Sequence, residues 1–98
     1  MKARASGSKE AAEALAIQAL GFLAEEPERL EVFLSVTGIA QEDIRQAARE
    51  PGFLAGVLDH MLGDESLLMA FADSAGLDPA NMARARRALG GHWERDLP

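Results

Sequence analysis

The chain has 98 residues, of which 48% are apolar and 27% are charged, and it contains no cysteine. This composition is typical of one globular domain, and it excludes disulfides, thiolate metal sites and cysteine nucleophiles. Ten Lys and Arg residues against sixteen Asp and Glu residues give a net charge of −6, which disfavours non-specific binding to nucleic acid or anionic lipid.

Helix start and stop signals divide the chain at regular intervals. Ser8 is a candidate N-cap, Pro27 and Pro51 suit the first position of a helix, and Gly38 and Gly76 can end helices in the left-handed conformation. We therefore predict an all-α fold, a compact bundle of about six short helices joined by short connections. The predicted helices cover about 8–25, 27–37, 41–50, 51–62, 65–75 and 79–89.

Acidic caps are expected before the last two helices. Asp64 precedes the fifth helix, and Asp78-Pro79 supplies an N-cap and a first helical residue for the sixth. The pattern predicts a single helical domain over residues 8–90, with a flexible tail at 1–7 and a C-terminal tail at 91–98.

The most apolar stretch, residues 11–24, is interrupted by Glu13 and Gln18. It is shorter than the roughly 18–20 residues that cross a bilayer. The acidic pair Glu25-Glu26 that follows is poor for a secretory signal, so we interpret the stretch as a buried first helix. We expect no membrane contact, and we expect a cytoplasmic protein because cysteine is also absent.

The two halves of the chain align when one is shifted by 38 residues. The shift matches Phe33 with Phe71, Gly38 with Gly76, and several other expected core positions. It suggests two related three-helix units, each too small to bury its apolar face alone. Convergence of two amphipathic helical hairpins would give similar matches, so both explanations stay open.

The first and fourth helices are apolar around more than half of their circumference, which is more than a six-helix monomer readily covers. We therefore predict a protein–protein interaction or self-association module, whose partner is another protein chain or a second copy in a homodimer. An exposed apolar patch is expected to include some of Ile17, Phe22, Val32, Val36, Met69 and Trp93.

A spacing like that of helix–turn–helix motifs supports an alternative, a regulatory nucleic-acid-binding protein that uses residues 77–89. Ala72, Gly76 and Met82 supply the small residue, turn glycine and apolar residue, and the first half of the chain repeats the spacing. A glycine-stopped helix before a capped helix often gives the same pattern, and the net charge opposes DNA. The candidate contacts in this alternative are Asn81, Arg84, Arg86 and Arg87.

Catalytic chemistry is not indicated. His60 lies four residues before Asp64, but a metal or hydrolytic site needs three or more convergent ligands, or a nucleophile oriented by a base. We predict no catalytic residue, no metal ligand and no cofactor, and we interpret His60 as a partly exposed residue at a helix end.

Six segments of the chain form a recognisable pattern: Gly38-Ile39-Ala40-Gln41-Glu42-Asp43-Ile44-Arg45, Phe53-Leu54-Ala55-Gly56-Val57-Leu58-Asp59, Asp64-Glu65-Ser66-Leu67-Leu68, Phe71-Ala72, Gly76-Leu77-Asp78-Pro79 and Ala85-Arg86. Together they resemble a family of short, all-helical bacterial proteins that is catalogued only as a domain of unknown function. The resemblance covers most of residues 11–90, and it departs from the family pattern at Gln41, where proline is expected. It implies a bacterial cytoplasmic origin and supplies no catalytic residues.

Overall fold

The computed structural model describes residues 2–90 of the chain, with the side chains of residues 9–90. Within this part the chain forms six α-helices and no strand. The helices are α1 (Lys2–Ala24), α2 (Pro27–Thr37), α3 (Ile44–Ala47), α4 (Pro51–Leu62), α5 (Glu65–Ala75) and α6 (Ala80–Ala88), and a 3₁₀ turn at Gln41–Asp43 precedes α3. The predicted all-α bundle is confirmed.

Local signals in the sequence set the ends of α2, α4 and α5. Pro27 and Pro51 occupy the first turn of α2 and α4, as predicted. Gly38 and Gly76 end α2 and α5 with positive φ values of 75° and 67°. The Asp64 carboxylate accepts a hydrogen bond from the backbone N–H of Leu67, so it caps α5.

The starts of α1 and α6 differ from the prediction. The first helix begins at Lys2 and not at the predicted start, Ser8. Ala, Lys and Arg before Ser8 favour helix, so the sequence on its N-terminal side can continue the helix. The α6 helix begins at Ala80, one residue later than predicted, although Oδ1 of Asp78 still accepts the Ala80 N–H at 2.9 Å. The predicted tail at 91–98 lies outside the described residues.

The third helix is much shorter than the predicted range of 41–50. It consists of the 3₁₀ turn and the four residues of α3. Its apolar residues Ile44, Ala47 and Ala48 are only partly buried. Since tertiary packing supplies most of a short helix's stability, this segment lacks the support for further turns.

The core is built around α4, which packs against α1, α5 and α6. Leu54, Ala55, Val57, Leu58 and Met61 are buried along it. The Phe33 ring of α2 also lies edge-on to Phe53 of α4, at 5.7 Å between ring centroids. None of the large apolar side chains of α4 is exposed, so the expectation that this helix has uncovered apolar surface is wrong.

The two halves of the chain correspond in their first two helices and differ in the third. Phe33 and Phe71 are both buried at equivalent positions, and Gly38 and Gly76 both end helices with positive φ. The third helices, α3 and α6, have four and nine residues, and α6 packs on both α1 and α4. A common origin of the halves stays a prediction.

Two glycine substitutions are expected to change stability in opposite directions. A Cβ at Gly76 would meet no atom within 4 Å, but φ there is +67°, so Gly76→Ala should destabilise the fold by about 1–2 kcal/mol. Gly21 lies inside α1 with equally open space around its Cα, so Gly21→Ala should stabilise by about 0.5–1 kcal/mol. Urea unfolding of both variants tests this, and a neutral Gly76→Ala would contradict the role of its backbone conformation.

Candidate protein-docking site

A groove of about 730 Å³ runs between α1 and α6. The α1 side supplies Ala11, Ala12, Ala14, Leu15 and Gln18. The α6 side supplies Leu77, from the turn before the helix, and Asn81, Arg84, Ala85, Arg87 and Ala88. We call this feature the α1–α6 groove.

Small side chains form the floor of the α1–α6 groove. Ala12 and Ala85 are buried at 2% and 7% exposure, so the two helices approach closely there. Ala11 and Ala14 are exposed on the α1 edge, and Leu15 is half-buried. A floor of alanines leaves room for another backbone or side chain to approach the two helices.

The α6 edge of the groove is cationic. Arg84 and Arg87 are both exposed, and Nη1 of Arg84 donates a hydrogen bond to Oδ1 of Asn81. Within the part of the chain that the structure describes, the lining residues include no Asp or Glu, although the chain as a whole carries a net charge of −6. The groove is therefore a locally positive site on an acidic protein, and its arginines have donors left for a carboxylate.

Arg86, the third arginine of α6, is engaged within the fold. Its Nε donates to Oδ1 of Asp59 on α4 at 2.7 Å, and its Nη1 donates to the backbone oxygen of Gly90 at 2.8 Å. The Arg86 side chain is only 12% exposed. It joins α6 to α4, so the candidate nucleic-acid contacts divide into Arg86, which is used structurally, and Asn81, Arg84 and Arg87, which line the groove.

Four of the six residues predicted for a partner surface are exposed, and they are distributed over three helices. Ile17 of α1, Val32 and Val36 of α2, and Met69 of α5 have exposures of 50%, 56%, 68% and 49%. Val32 and Val36 lie one turn apart on the same helix. Trp93 lies outside the described residues.

Phe22, another predicted partner residue, is half-buried and packs within the chain. Its ring contacts that of Phe71 at 5.3 Å between centroids, and the Arg29 guanidinium carbon lies 4.5 Å from the centroid of the Phe22 ring. Phe22 therefore joins α1 to α5 and supports the start of α2.

His60 lies at a second, smaller cavity of about 260 Å³, which it lines together with Arg29, Val32, Asp64, Ser66, Leu67 and Ala70. The His60 ring is partly exposed and lies edge-on to Phe33 at 5.2 Å, as expected of a helix-end histidine. Asp64 lines the same cavity, but its carboxylate caps α5. Among the residues with described side chains, no three His, Asp or Glu residues are grouped so as to hold a metal ion.

In the part of the chain that the structure describes, no helix is both long enough and apolar enough to cross a bilayer.

Sequence reasoning missed the α1 side of the groove. Ala11, Ala14, Gln18 and Gly21 recur along one uncharged side of α1 and are all exposed, and the first three line the groove. This stripe is visible in the sequence, but alanine and glycine also fit buried helix contacts. Only the packing shows which side of α1 is left uncovered.

The comparisons with known proteins assign the chain to a family. A family model described as "Protein of unknown function (DUF3572)" matches residues 9–92. The chain belongs to this family. The matched residues include every described residue that lines the α1–α6 groove. The match confirms the resemblance noted in the sequence. Neither a curated protein nor a solved structure matches the chain.

Proposed function

We propose that the protein is a protein-interaction module and that the α1–α6 groove is its docking site. One observation carries the proposal: among the described residues that line it, the groove combines an apolar floor with two exposed arginines and no carboxylate, on a chain with a net charge of −6. An amphipathic helix fits such a groove by placing apolar side chains on the floor. The proposed partner carries carboxylates beside these residues, within reach of Arg84 and Arg87.

Each part of the groove has a separate role in this proposal. The alanine floor supplies close apolar contact, from which most of the binding free energy would come. The arginines select an acidic partner and speed its encounter, since complementary charge affects specificity and association rate more than affinity. The proposal includes no catalytic step and no cofactor. We also propose a cytoplasmic location in a bacterium, which the cysteine-free composition and the family resemblance support.

Binding of nucleic acid is the alternative function. The exposure of Arg84 and Arg87 on α6 favours it, because arginine contacts phosphates and guanine edges. The apolar floor beside these arginines favours a protein partner instead. The experiment below separates the two.

Site-specific photo-crosslinking tests the proposed function. A photoreactive amino acid at Ala14, in the groove, is expected to capture a defined protein in cells that naturally express the chain. The same amino acid at Ser74, an exposed position on α5, serves as the matched control and should capture little. Arg84→Glu/Arg87→Glu should reduce capture from Ala14 by about tenfold or more.

Three results would contradict the proposed function. They are equal capture from both positions, no capture from Ala14, and capture that is insensitive to the charge reversal. Recovery of nucleic acid from Ala14 in place of protein would favour the alternative, and binding should then fall steeply with salt.

A further inference from the structure

The outward side of α2 is an apolar strip with acidic residues at one end. Its inward residues Leu30 and Phe33 are buried. Val32 and Val36 are more than half exposed, and residues four apart lie on one side of a helix. We call the exposed set Glu28, Glu31, Val32, Ser35 and Val36 the α2 outer face.

The shape of the α2 outer face suits the α1–α6 groove. Val32 and Val36 are short, branched side chains with one preferred rotamer in a helix, so little side-chain entropy is lost when they become ordered. A third helix can approach α1 and α6 closely because alanines form the groove floor. The two valines would then lie on this floor as neighbouring anchors.

The charges of the two surfaces also match. Glu28 and Glu31 are exposed and three residues apart on α2, and Arg84 and Arg87 are exposed and three residues apart on α6. Each pair therefore spans about 4.5 Å along its helix axis. Both carboxylates can reach an arginine when the two helices lie side by side, which fixes the register of the contact.

We propose that the α1–α6 groove binds the α2 outer face of a second copy of this chain, an inference that rests on the proposed docking function. A copy cannot fill its own groove in this way, because the buried side of α2 holds the outer face away from the core. The contact joins two different surfaces, the groove of one copy and the α2 outer face of another. Two copies form a two-fold dimer only if each groove binds the α2 outer face of the other copy at the same time. Otherwise the contact builds a ring or a longer assembly.

Charge reversal in trans tests this inference. Sedimentation velocity should show that the wild-type chain associates as its concentration rises. Arg84→Glu/Arg87→Glu alone and Glu28→Arg/Glu31→Arg alone should each weaken association by about a hundredfold or more, because like charges would face each other. An equimolar mixture of the two variants should associate again, since each groove then meets an outer face of opposite charge.

Matched controls keep the result interpretable. Arg45→Glu/Arg49→Glu changes the net charge by the same amount as the groove variant, at exposed positions outside both surfaces, and it should leave association unchanged. Circular dichroism and thermal unfolding should show that every variant is folded, because all of the substituted residues are exposed.

Several outcomes would overturn the inference. They are a wild-type chain that stays monomeric up to millimolar concentration, variants that associate as well as the wild type, and a mixture that fails to recover association. Capture of a different protein by the Ala14 crosslinker, together with a monomeric wild type, would leave the docking function in place and reject the second copy as its partner. Failure of both experiments would reject the docking function itself.

Discussion

Replacing Leu58 by alanine is expected to lower the free energy of unfolding by about 2–5 kcal/mol. Leu58 is fully buried on α4, the helix that packs against α1, α5 and α6. The substitution removes apolar contacts and leaves a cavity that surrounding helices cannot fully close. Because a domain of this size is stable by only about 5–15 kcal/mol, the Tm should fall by more than about 10 °C. Urea and thermal unfolding measure the effect.

The chain offers a matched pair of valines as a control for this prediction. Val57 is fully buried on α4, whereas Val36 is 68% exposed on α2. Val57→Ala should cost about 2 kcal/mol, and Val36→Ala should change stability by less than about 0.5 kcal/mol because alanine also favours helix. Equal effects at the two positions, or a neutral Leu58→Ala, would contradict the placement of α4 at the centre of the core.

The helix ends that sequence analysis placed well are those set by a single residue. Pro27 and Pro51 can open a helix but cannot continue one from the preceding turn. Gly38 and Gly76 reach positive φ values that other residues rarely adopt. Asp64 carries its own capping acceptor. These constraints act within a few residues, so they can be recognised without knowledge of the fold.

The third helix and the start of α1 were predicted less well because they depend on more than one residue. The amphipathic pattern around Ile44 indicates a helix. The length of that helix depends on how much of its surface the rest of the chain covers, and only a small part of it is covered. At the N-terminus, Ser8 is a good cap, yet it competes with helix-favouring neighbours on its N-terminal side. Local preference alone does not decide such cases.

The candidate site is a consequence of tertiary packing. The sequence indicates that α1 is apolar on several sides, but the groove arises from the side that α6 leaves partly open. The roles of the arginines on α6 depend equally on distant contacts. Arg86 is held by Asp59, 27 residues earlier in the chain, while Arg84 and Arg87 stay exposed at the groove. Residue types alone did not separate these three arginines.

Phe22 is the predicted partner residue whose role the structure changes most. Phe22→Ala is expected to lower the free energy of unfolding by about 2–3 kcal/mol, less than a fully buried phenylalanine would cost. The loss combines buried apolar area with the ring contact to Phe71 and the cation–π contact from Arg29, and these two contacts are worth about 0.5–1.5 and 0.5–1 kcal/mol. Urea unfolding measures the total.

Three comparison variants separate the structural role of Phe22 from a role in partner binding. Phe22→Leu keeps most of the apolar packing but removes both ring contacts, so it should cost about 1–2 kcal/mol. Arg29→Ala should lose only the cation–π contact and the packing of its own stem, about 1 kcal/mol. Ile17→Ala, at a half-exposed position on the same helix, should change stability by less than about 1 kcal/mol.

If Phe22→Ala instead leaves stability unchanged and lowers capture at the groove or self-association, Phe22 contacts a partner and the packing role is wrong. A large stability loss with unchanged association of the folded fraction would show that Phe22 stabilises the junction of α1, α2 and α5 and takes no part in docking.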